Sequence, residues 1–550
     1  MASQSSAKVR AHSRSPRAAR TRGPTGDSSS ATSNIDTSCW LAFDHRCMGR
    51  GPRLSGRIRT AEGARRPPSG YDQPAGPVFV YNRAMARSSA YSAVVTTGNY
   101  CRTGCSGAPK DENVLPFVFP AAAEAHGFRP CLRCRPDTAP GPPSWLAPSE
   151  LVCRALRLIG QGALDGAGEH DLARRLGVSE RHLRRLFDAH VGASPDVVAR
   201  SRRVHFARRL LIETDLPVAQ IGFASGFGSV RQLNRVVKEV FRLSPTELRR
   251  RRRRADRLVA TAGLDLRLPY RPPLDWEAMT GFLAARATAG VEAVDAGSYR
   301  RTVVVDGEPG AIELRRPADS SHLLLRVHSH RVDGLIHVVD QARRIFDVDA
   351  DPHTIRRHLR RDAALKPLVD RRPGLRVVGA WDGFELGVRA ILGQQVSVRG
   401  ASTLAARMAE RLGRPLAGFE HLGLSRLFPT PEVVAGADLS CLGLTSARAA
   451  TVRALAQAVA GGKVVLDASQ GLDGLVASLC QVPGVGRWTA QYIAMRAAGE
   501  RDAFPSGDLG LRRGLGQACL SERELLLRAE GWRPWRAYAA MHLWVSGSGR

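Results

Sequence analysis

Acidic residues are few for a chain of this length. Asp and Glu number 51 against 81 Lys and Arg, which gives the 550 residues a formal net charge of +30 at pH 7. This deficit favours a polyanionic partner, with nucleic acid first and an anionic membrane surface second. Long apolar runs are also lacking. None approaches the length that spans a bilayer, so we expect no membrane-spanning segment and favour nucleic acid over a membrane.

Cysteine is scarce as well. Ten cysteines in 550 residues are too few for a disulfide scaffold, and the N-terminus shows no signal-peptide core. We therefore expect an intracellular, cytoplasmic protein with reduced thiols. A chain of this length is too long for one hydrophobic core, so three or four domains are expected.

Composition sets the boundaries between the segments. Residues 1–38 are rich in Ser, Ala and Arg, with no acidic residue before Asp27, and are predicted to be a disordered basic tail. A transit peptide is the second interpretation of this tail. The Pro/Gly-rich residues 140–143 predict a linker, and the arginines at 249–254 mark a second boundary.

Four cysteines form two close pairs, and their spacing is typical of a four-thiolate zinc site. Zinc accepts four soft anionic ligands tetrahedrally and does not change its redox state. We therefore expect one Zn²⁺, held by Cys101, Cys105, Cys131 and Cys134. The other six cysteines show no ligand spacing.

The sequence around these cysteines, with Thr97-Gly98-Asn99-Tyr100-Cys101-Arg102 and Phe128-Arg129-Pro130-Cys131-Leu132-Arg133-Cys134, resembles the Ada-type N-terminal domain. That family accepts a methyl group from a DNA methyl phosphotriester. The resemblance implies such a domain over residues 39–140, with Cys101 as the acceptor in an irreversible transfer. Residues 39–92 and the Arg102-Thr103 pair depart from the family pattern, so a structural zinc ribbon without an acceptor remains an alternative.

Residues 170–187 and 218–235 share the pattern of a helix-turn-helix. In the first copy Gly177 would make the turn and Ser179 would cap the second helix; in the second copy Ser229 and Gln232 have capping-box spacing. The repeat, which closes at Ser244-Pro245-Thr246-Glu247, resembles the AraC-type DNA-binding domain, here assigned to residues 149–250. Two amphipathic helical hairpins with no DNA role are the alternative.

The AraC-type resemblance implies a transcriptional activator that binds double-stranded promoter DNA and contacts RNA polymerase. Each second helix would enter a major groove, with the two sites about one helical turn apart. Polar residues on these two helices are the candidate base readers: Glu180, Arg181 and Arg184 on the first, and Ser229, Arg231, Gln232 and Arg235 on the second.

A glycine-rich turn near the C-terminus is followed by a single carboxylate. In Pro483-Gly484-Val485-Gly486, the glycines Gly484 and Gly486 would let backbone N–H groups approach a DNA phosphate, as in a helix-hairpin-helix turn. About twenty residues later Asp508 ends the run Phe504-Pro505-Ser506-Gly507-Asp508. The alternative is an ordinary helix turn followed by an Asp that caps the next helix.

These motifs, together with Trp488, Tyr492, Trp544 and the run Leu386–Ser397, resemble the AlkA-type branch of the helix-hairpin-helix glycosylases. The resemblance implies excision of 3-methyladenine-type bases from damaged DNA. Asp508 would stabilise the oxocarbenium-like sugar and assist the attacking water. The three aromatic residues would stack on the flipped base, whose alkylated purine ring is cationic, and Gln395 would be the wedge in the duplex gap.

Three absences define the expected reaction. Lyase-type relatives carry a lysine after the hairpin, where this chain has Trp488, so hydrolysis without strand cleavage is expected. No cysteine follows Cys519, so we expect no iron–sulfur cluster. No Pro-Cys-His-Arg run is found, so a guanine-O-alkyl acceptor domain is not expected.

The sequence thus predicts a multidomain, mainly α protein with α+β parts that combines a zinc sensor, a DNA-binding activator and a glycosylase in an alkylation-damage response. Two alternatives remain open: a regulator whose glycosylase domain only binds DNA, and a glycosylase with a degenerate sensor. The expected domains are a basic tail (1–38), an Ada-type domain (39–140), a double helix-turn-helix (149–250), an AlkA-type α+β domain (264–378) and an all-α glycosylase domain (379–550).

Overall fold

The computed structural model describes residues 90–102, 105, 111–136, 140–147, 149–258 and 263–547. The predicted basic tail, and all but the last three residues of the atypical 39–92 segment, lie outside the described residues. None of the helices in the described ranges combines the length and the hydropathy that a membrane span requires.

The cysteine-rich part is a small four-stranded sheet with one helix. Strand β1 (Tyr91–Val94) pairs antiparallel with β2 (Asn99–Arg102) and with β3 (Val114–Phe117), and β2 pairs parallel with β4 (Arg129–Pro130). Helix α1 (Pro120–Ala125) packs its alanines on this sheet. Because β2 and β4 are neighbours, the first cysteine, on β2, lies beside the cysteine that follows β4 directly.

Seven helices form the next part, and the fourth of them is the longest at 19 residues. This long helix joins two helix-turn-helix units, so the predicted duplication is confirmed. The helices are α2 (Glu150–Gly160), α3 (Glu169–Arg175), α4 (Glu180–His190), α5 (Pro195–Glu213), α6 (Val218–Ala224), α7 (Val230–Phe241) and α8 (Pro245–Arg250).

Both helix-turn-helix units use the capping residues that their sequences predict. The Ser179 hydroxyl accepts a hydrogen bond from the backbone N–H of His182 at 3.3 Å, and Ser229 accepts one from Gln232 at 3.2 Å. The Gln232 side chain accepts in return from the N–H of Gly228, one residue before the cap. Gly177 makes the first turn at φ +72°, a conformation that favours glycine.

A five-stranded antiparallel sheet follows, with the strand order β5-β9-β8-β7-β6. Its inward side chains form one continuous core with the helices that cover it, and Trp276 stacks on Phe346 at a centroid distance of 4.8 Å. The elements are β5 (Leu264–Pro269), α9 (Trp276–Ala284), β6 (Glu292–Val294), β7 (Ser298–Val305), β8 (Glu308–Arg315), β9 (His322–His328), α10 (Leu335–Ile345), α11 (Pro352–Leu359) and α12 (Leu365–Arg371).

The C-terminal part is all helical. Its first helix packs so closely on a later one that a Cβ at Gly387 would come within 2.9 Å of the Leu455 side chain, so a larger residue there would require Leu455 to shift. The helices are α13 (Gly383–Leu392), α14 (Val398–Leu412), α15 (Pro431–Gly436), α16 (Ser446–Ala460), α17 (Gly471–Cys480), α18 (Arg487–Arg496), α19 (Leu509–Gly514), α20 (Glu522–Ala529) and α21 (Arg536–Gly547).

The helix-turn-helix part packs directly on this helical part. Arg157 on α2 forms an ion pair with Glu500 at 2.9 Å, and Arg175 on α3 forms one with Asp467 at 2.8 Å. Trp145, just before α2, meets Trp535 edge to face at 4.9 Å. Polar and aromatic contacts therefore join the helix-turn-helix part to the C-terminal helical part, which the sequence predicts as separate domains.

Four buried charges join the five-stranded sheet to α13. Arg301 on β7 donates to Glu385 at 2.7 Å, while Arg389 donates to Glu385 at 2.8 Å and to Glu292 on β6 at 2.7 Å. The hydroxyl of Tyr299 donates to Glu292 at 2.7 Å. Glu385 therefore contacts both arginines, and Glu292 contacts both arginines and the Tyr299 hydroxyl. Two positive and two negative charges balance within the cluster.

The arginines determine the ionisation of this cluster. Burial alone would raise the pKa of Glu292, but the neighbouring Arg389 and Arg301 outweigh it and hold that pKa at about 2. Because the folded-state pKa lies below the ordinary value of 4.5, Glu292 contributes stability above pH 4.5, and this contribution is lost as the pH falls toward 2.

We expect Glu385→Gln to lower the free energy of unfolding by about 3–5 kcal/mol, because it leaves two buried guanidinium groups without their shared counter-charge. Denaturant unfolding followed by circular dichroism measures the loss. The matched control is Glu277→Gln, which removes a carboxylate from an exposed pair with Arg316 in the same sheet domain and should change little. Equal losses of unfolding free energy in the two variants would show that the buried cluster stabilises the fold no more than an exposed ion pair does.

Candidate functional site

The four predicted metal ligands come together in the cysteine-rich part. The sulfur atoms of Cys101, Cys105, Cys131 and Cys134 all lie within 4.8 Å of one another. A tetrahedral site with zinc–sulfur bonds of about 2.3 Å requires sulfur–sulfur distances of about 3.8 Å, so a small contraction closes the set around a metal. The backbone N–H of Cys131 donates to the carbonyl of Tyr100 at 2.9 Å, which ties the two pairs together.

The protein environment alone does not favour four thiolates here. Burial, followed by the charges of Cys131 and Cys134, raises the pKa of Cys101 well above its ordinary value, and burial raises that of Cys134 to about 11. At Cys131 burial also acts to raise the pKa, but backbone N–H groups of Cys134 and Arg133 lower it overall. The donor set therefore suits a divalent cation that offsets the repulsion between the sulfur atoms.

The residue next to the first cysteine reaches the helix-turn-helix part. The Tyr100 hydroxyl donates to the Glu124 carboxylate at 2.7 Å and lies 3.1 Å from Nε2 of His205 on α5. The same His205 nitrogen lies 2.5 Å from Glu124. A second contact between these parts is the ion pair of Arg135 with Asp256 at 2.8 Å. No sequence pattern predicts either contact.

The glycine-rich turn lies between α17 and α18, as the helix-hairpin-helix pattern predicts. Gly484 has φ +83°, and a Cβ there would overlap the Thr451 side chain, so this position requires glycine. Gly486 has an ordinary extended conformation and open space around its Cα, and it is the N-cap of α18. The N-cap residue supplies no side-chain cap for this helix, and a helix N-terminus with uncapped first-turn N–H groups suits an anion.

Asp508 is the N-cap of α19 and also faces a cleft. Its Oδ1 accepts from the backbone N–H groups of Gly510 at 2.7 Å and Leu511 at 3.3 Å, and from the Trp544 indole at 3.1 Å. Its Oδ2 accepts from the Trp488 indole at 3.0 Å. The helix-cap reading and the functional reading of Asp508 thus describe the same side chain, and Oδ2 keeps more acceptor capacity than Oδ1.

The three predicted base-pocket residues line this cleft together with Asp508, and the cleft encloses about 440 Å³. Trp488 and Tyr492, one turn apart on α18, are nearly parallel with ring centroids 5.5 Å apart, and Trp544 meets Tyr492 edge to face at 6.0 Å. All three are half-buried, whereas Trp532 and Trp535 are core residues. The exposed ring surface is available for a planar ligand.

The cleft also holds arginines that the sequence reading missed. Arg286 follows α9 and lies over the Phe282 ring, 3.7 Å from its centroid, while Arg496 on α18 donates to the Tyr492 hydroxyl at 2.5 Å. Burial acts to raise the pKa of Tyr492, but Arg496 and Arg286 lower it overall. The only sequence signal for Arg286 is its i, i+4 spacing from Phe282, which indicates that the two side chains share a helix face. The guanidinium groups oppose the attraction for cationic bases that we expected from the ring faces alone.

The predicted wedge residue lies in a loop whose residues Gly393 and Val396 line the cleft. Gln395 is exposed in the loop 393–397 between α13 and α14, with φ +55°. Its neighbour Gln394 donates through its side-chain amide to the carbonyl of Gly484 and to Thr489, both at 3.1 Å. The loop 393–397, which we call the wedge loop after its predicted role, is therefore hydrogen-bonded to the glycine-rich turn.

The candidate base readers differ in whether their polar groups are exposed or already have partners within the protein. Arg181, Arg231 and Arg235 are exposed on their helices, and Arg235 keeps 68% of its side chain accessible. Arg184 is held in ion pairs with Glu169 and Glu180. Ser229 and Gln232 take part in the cap described above, so their polar groups already have partners in this structure.

Four protein families match successive parts of the chain. They are described as the metal binding domain of Ada (residues 78–137), a helix-turn-helix domain (172–251), the AlkA N-terminal domain (265–382) and the HhH-GPD superfamily base excision DNA repair protein (388–537). Their order agrees with the domain types that the motifs predict.

Individual relatives cover one or several of these parts. A probable bifunctional transcriptional activator/DNA repair enzyme AlkA of Mycobacterium tuberculosis is 42% identical over 82% of this chain and 92% of its own length. DNA-3-methyladenine glycosylase 2 of Escherichia coli is 36% identical over 51% of this chain and 96% of its length. AdaA of Bacillus subtilis is 27% identical over 31% of this chain and 79% of its length. The chain therefore belongs to the family of bifunctional transcriptional activator/DNA repair enzymes of the AlkA type.

Proposed function

We propose that this chain releases 3-methyladenine-type bases from DNA by hydrolysing the N-glycosidic bond, with Asp508 as the catalytic carboxylate. The observation that carries the proposal is the convergence of Asp508 with the three half-buried aromatic residues in one cleft. The name of the Escherichia coli relative, which matches this half of the chain, supports the same substrate class.

The geometry of Asp508 suits a reaction with positive charge on the sugar. Breaking the glycosidic bond leaves an oxocarbenium-like sugar, and a fixed carboxylate stabilises that charge without having to reorganise. The four hydrogen-bond donors on Asp508 are neutral, so they orient the carboxylate without cancelling its charge. Oδ2, which accepts only from Trp488, is the oxygen that faces the sugar or the attacking water.

The remaining cleft residues hold the flipped nucleotide in this mechanism. A base leaves the duplex only if its new site replaces the stacking it loses, and Trp488, Tyr492 and Trp544 supply aromatic surface. Gly484 and Gly486 would anchor a backbone phosphate, and Gln395 would fill the gap in the duplex. Because Trp488 stands where a Schiff-base lysine would be, the product is an abasic site in an uncut strand.

The cysteine-rich part acts as the sensor in this proposal. Cys101, Cys105, Cys131 and Cys134 would hold one zinc ion, which would keep the thiol of Cys101 deprotonated. The Cys101 sulfur attacks the methyl carbon of a phosphotriester, an S–CH₃ bond forms, the O–CH₃ bond breaks, and the phosphate leaves as a diester anion. The glycosylase half contains only Cys441, Cys480 and Cys519, too few to ligate a four-cysteine iron–sulfur cluster.

The helix-turn-helix part completes the proposal as a promoter-binding activator. The exposed arginines on α4 and α7 contact DNA, and RNA polymerase is the partner whose recruitment activation requires. Since the chromosome is the substrate of all three parts, the site of action is the bacterial cytoplasm. The "bifunctional transcriptional activator" wording of the Mycobacterium tuberculosis relative supports this reading.

We expect Asp508→Asn to slow release of 3-methyladenine from methylated DNA by about two to three orders of magnitude, because the shape is kept and the charge is lost. Single-turnover release measures the rate, and binding to undamaged duplex should persist. Asp473→Asn, an exposed carboxylate on α17, is the matched control. Unchanged release in Asp508→Asn, or a borohydride-trapped covalent adduct with the parent protein, would contradict the mechanism; no release by the parent would favour a regulator that only grips DNA.

We expect the purified chain to contain one zinc ion, and Cys131→Ser to lose most of it, because three thiolates hold zinc less well than four. Elemental analysis measures the content, and Cys480→Ser, at an exposed cysteine outside the cluster, is the control. Incubation with methylated DNA should add one methyl group at Cys101, seen by mass spectrometry of peptides. Zinc without methylation would leave only a structural metal site.

We expect Arg235→Ala to weaken binding to a specific two-part promoter site and, if the side chain contacts a phosphate, to lower the slope of affinity against salt by about one. Titration of labelled duplexes at several salt concentrations tests this. Arg523→Ala removes the same charge from exposed helix α20 and serves as the control. Equal affinity of the parent for all sequences at physiological salt would rule out a specific activator.

A further inference from the structure

The residue at the tip of the wedge loop is polar, which is unexpected for a side chain that enters a base stack. Gln395 is exposed, and its flanking residues Val396 and Val398 are exposed apolar side chains that also line the cleft. The apolar contact that fills a duplex gap is therefore already available beside it. The amide of Gln395 adds one acceptor and a two-hydrogen donor that contribute nothing to filling space.

Contacts of the neighbouring residue hold the backbone that carries this amide. Gln395 adopts φ +55°, which is uncommon for a residue other than glycine, and such conformations persist where surrounding contacts impose them. The contacts are at Gln394: its side chain bonds to Gly484 and Thr489, and its carbonyl accepts from Arg448 at 2.7 Å. A phosphate anchored at the glycine turn therefore sets where Gln395 enters the duplex.

A buried amide without partners is costly, so Gln395 needs hydrogen bonds inside the gap. When a nucleotide flips out, the base opposite it loses its partner and leaves its Watson–Crick edge exposed to the gap. Thymine presents an N–H donor beside a carbonyl acceptor, and an amide matches this pair. By turning over, an amide can also match the donor and acceptor pairs of the other three bases.

We propose that Gln395 pairs through its amide with the Watson–Crick edge of the base opposite the flipped nucleotide. Binding of the extrahelical state then requires a hydrogen-bonding base at that position but tolerates any natural one. This inference rests on the proposed wedge role of Gln395 and adds a specificity determinant for the opposite strand. A purely apolar wedge would fill the gap equally well whatever faced it.

The test measures binding without catalysis. The full-length protein is titrated with a labelled duplex that carries a tetrahydrofuran abasic-site analogue opposite either thymine or 2,4-difluorotoluene, which has the shape of thymine but no Watson–Crick hydrogen-bonding groups. Excess unlabelled undamaged duplex occupies the helix-turn-helix part. We expect the parent to prefer thymine by about tenfold, the order of one amide–base pair. In Gln395→Leu this preference should fall to a ratio near one.

The matched control is Gln457→Leu, which makes the same change at an exposed position on α16, nine residues along the helix from Arg448. It should keep the preference of the parent. Equal affinity of the parent for both duplexes, or a preference that survives in Gln395→Leu or disappears in Gln457→Leu, would overturn the assignment. Release of 3-methyladenine from methylated DNA by the same preparations separates the two proposals, because its absence would refute excision and leave the pairing result standing.

Discussion

The buried cluster of Glu292, Arg301, Glu385 and Arg389 fixes the geometry on which the cleft depends. It joins the edge of the five-stranded sheet to α13, and Arg389 also donates to the backbone carbonyl of Arg286. The bond from Arg389 holds the backbone of Arg286, whose side chain lines the cleft. Arg389 itself lies on α13, which ends directly before the wedge loop. Apolar packing would hold the two domains together without choosing one register, whereas a charge cluster is satisfied in a single arrangement.

The helix-cap role of Asp508 and its proposed catalytic role, which the sequence presented as alternatives, are compatible in one side chain. A helix cap needs an acceptor fixed at the first turn of α19, and a catalytic carboxylate needs an oxygen fixed toward the sugar. The two oxygens divide these tasks: Oδ1 accepts the cap bonds and the Trp544 indole, while Oδ2 accepts only from Trp488. The capping bonds thus supply the orientation that the chemistry requires, and two of the proposed base-stacking residues also help to hold the carboxylate.

The features that can be predicted from the sequence are those that depend on residues close together in the chain. The cysteine pairs, the capping serines and the helix-hairpin-helix glycines follow from short-range spacing, and the structure brings the four cysteines into one cluster. Trp488 and Tyr492 share a helix face for the same reason. Arg286 was missed because it reaches the cleft from a domain about 200 residues earlier, and no periodicity records such a contact. At Gly486 the conformation of the chain alone does not require glycine, and its expected close approach to a DNA phosphate stays a prediction.

The contact between the cysteine sheet and α5 links the sensor to the DNA-binding helices. Tyr100 and Cys101 are consecutive on β2, so their side chains point to opposite faces: the thiol toward the metal cluster and the tyrosine into the core, where it meets His205. His205 lies on the helix that joins the two helix-turn-helix units. Under the proposed methyl transfer, a thiolate charge is lost one residue from this contact. The contact therefore places β2, the strand of the proposed acceptor cysteine, against the helix that joins the two helix-turn-helix units.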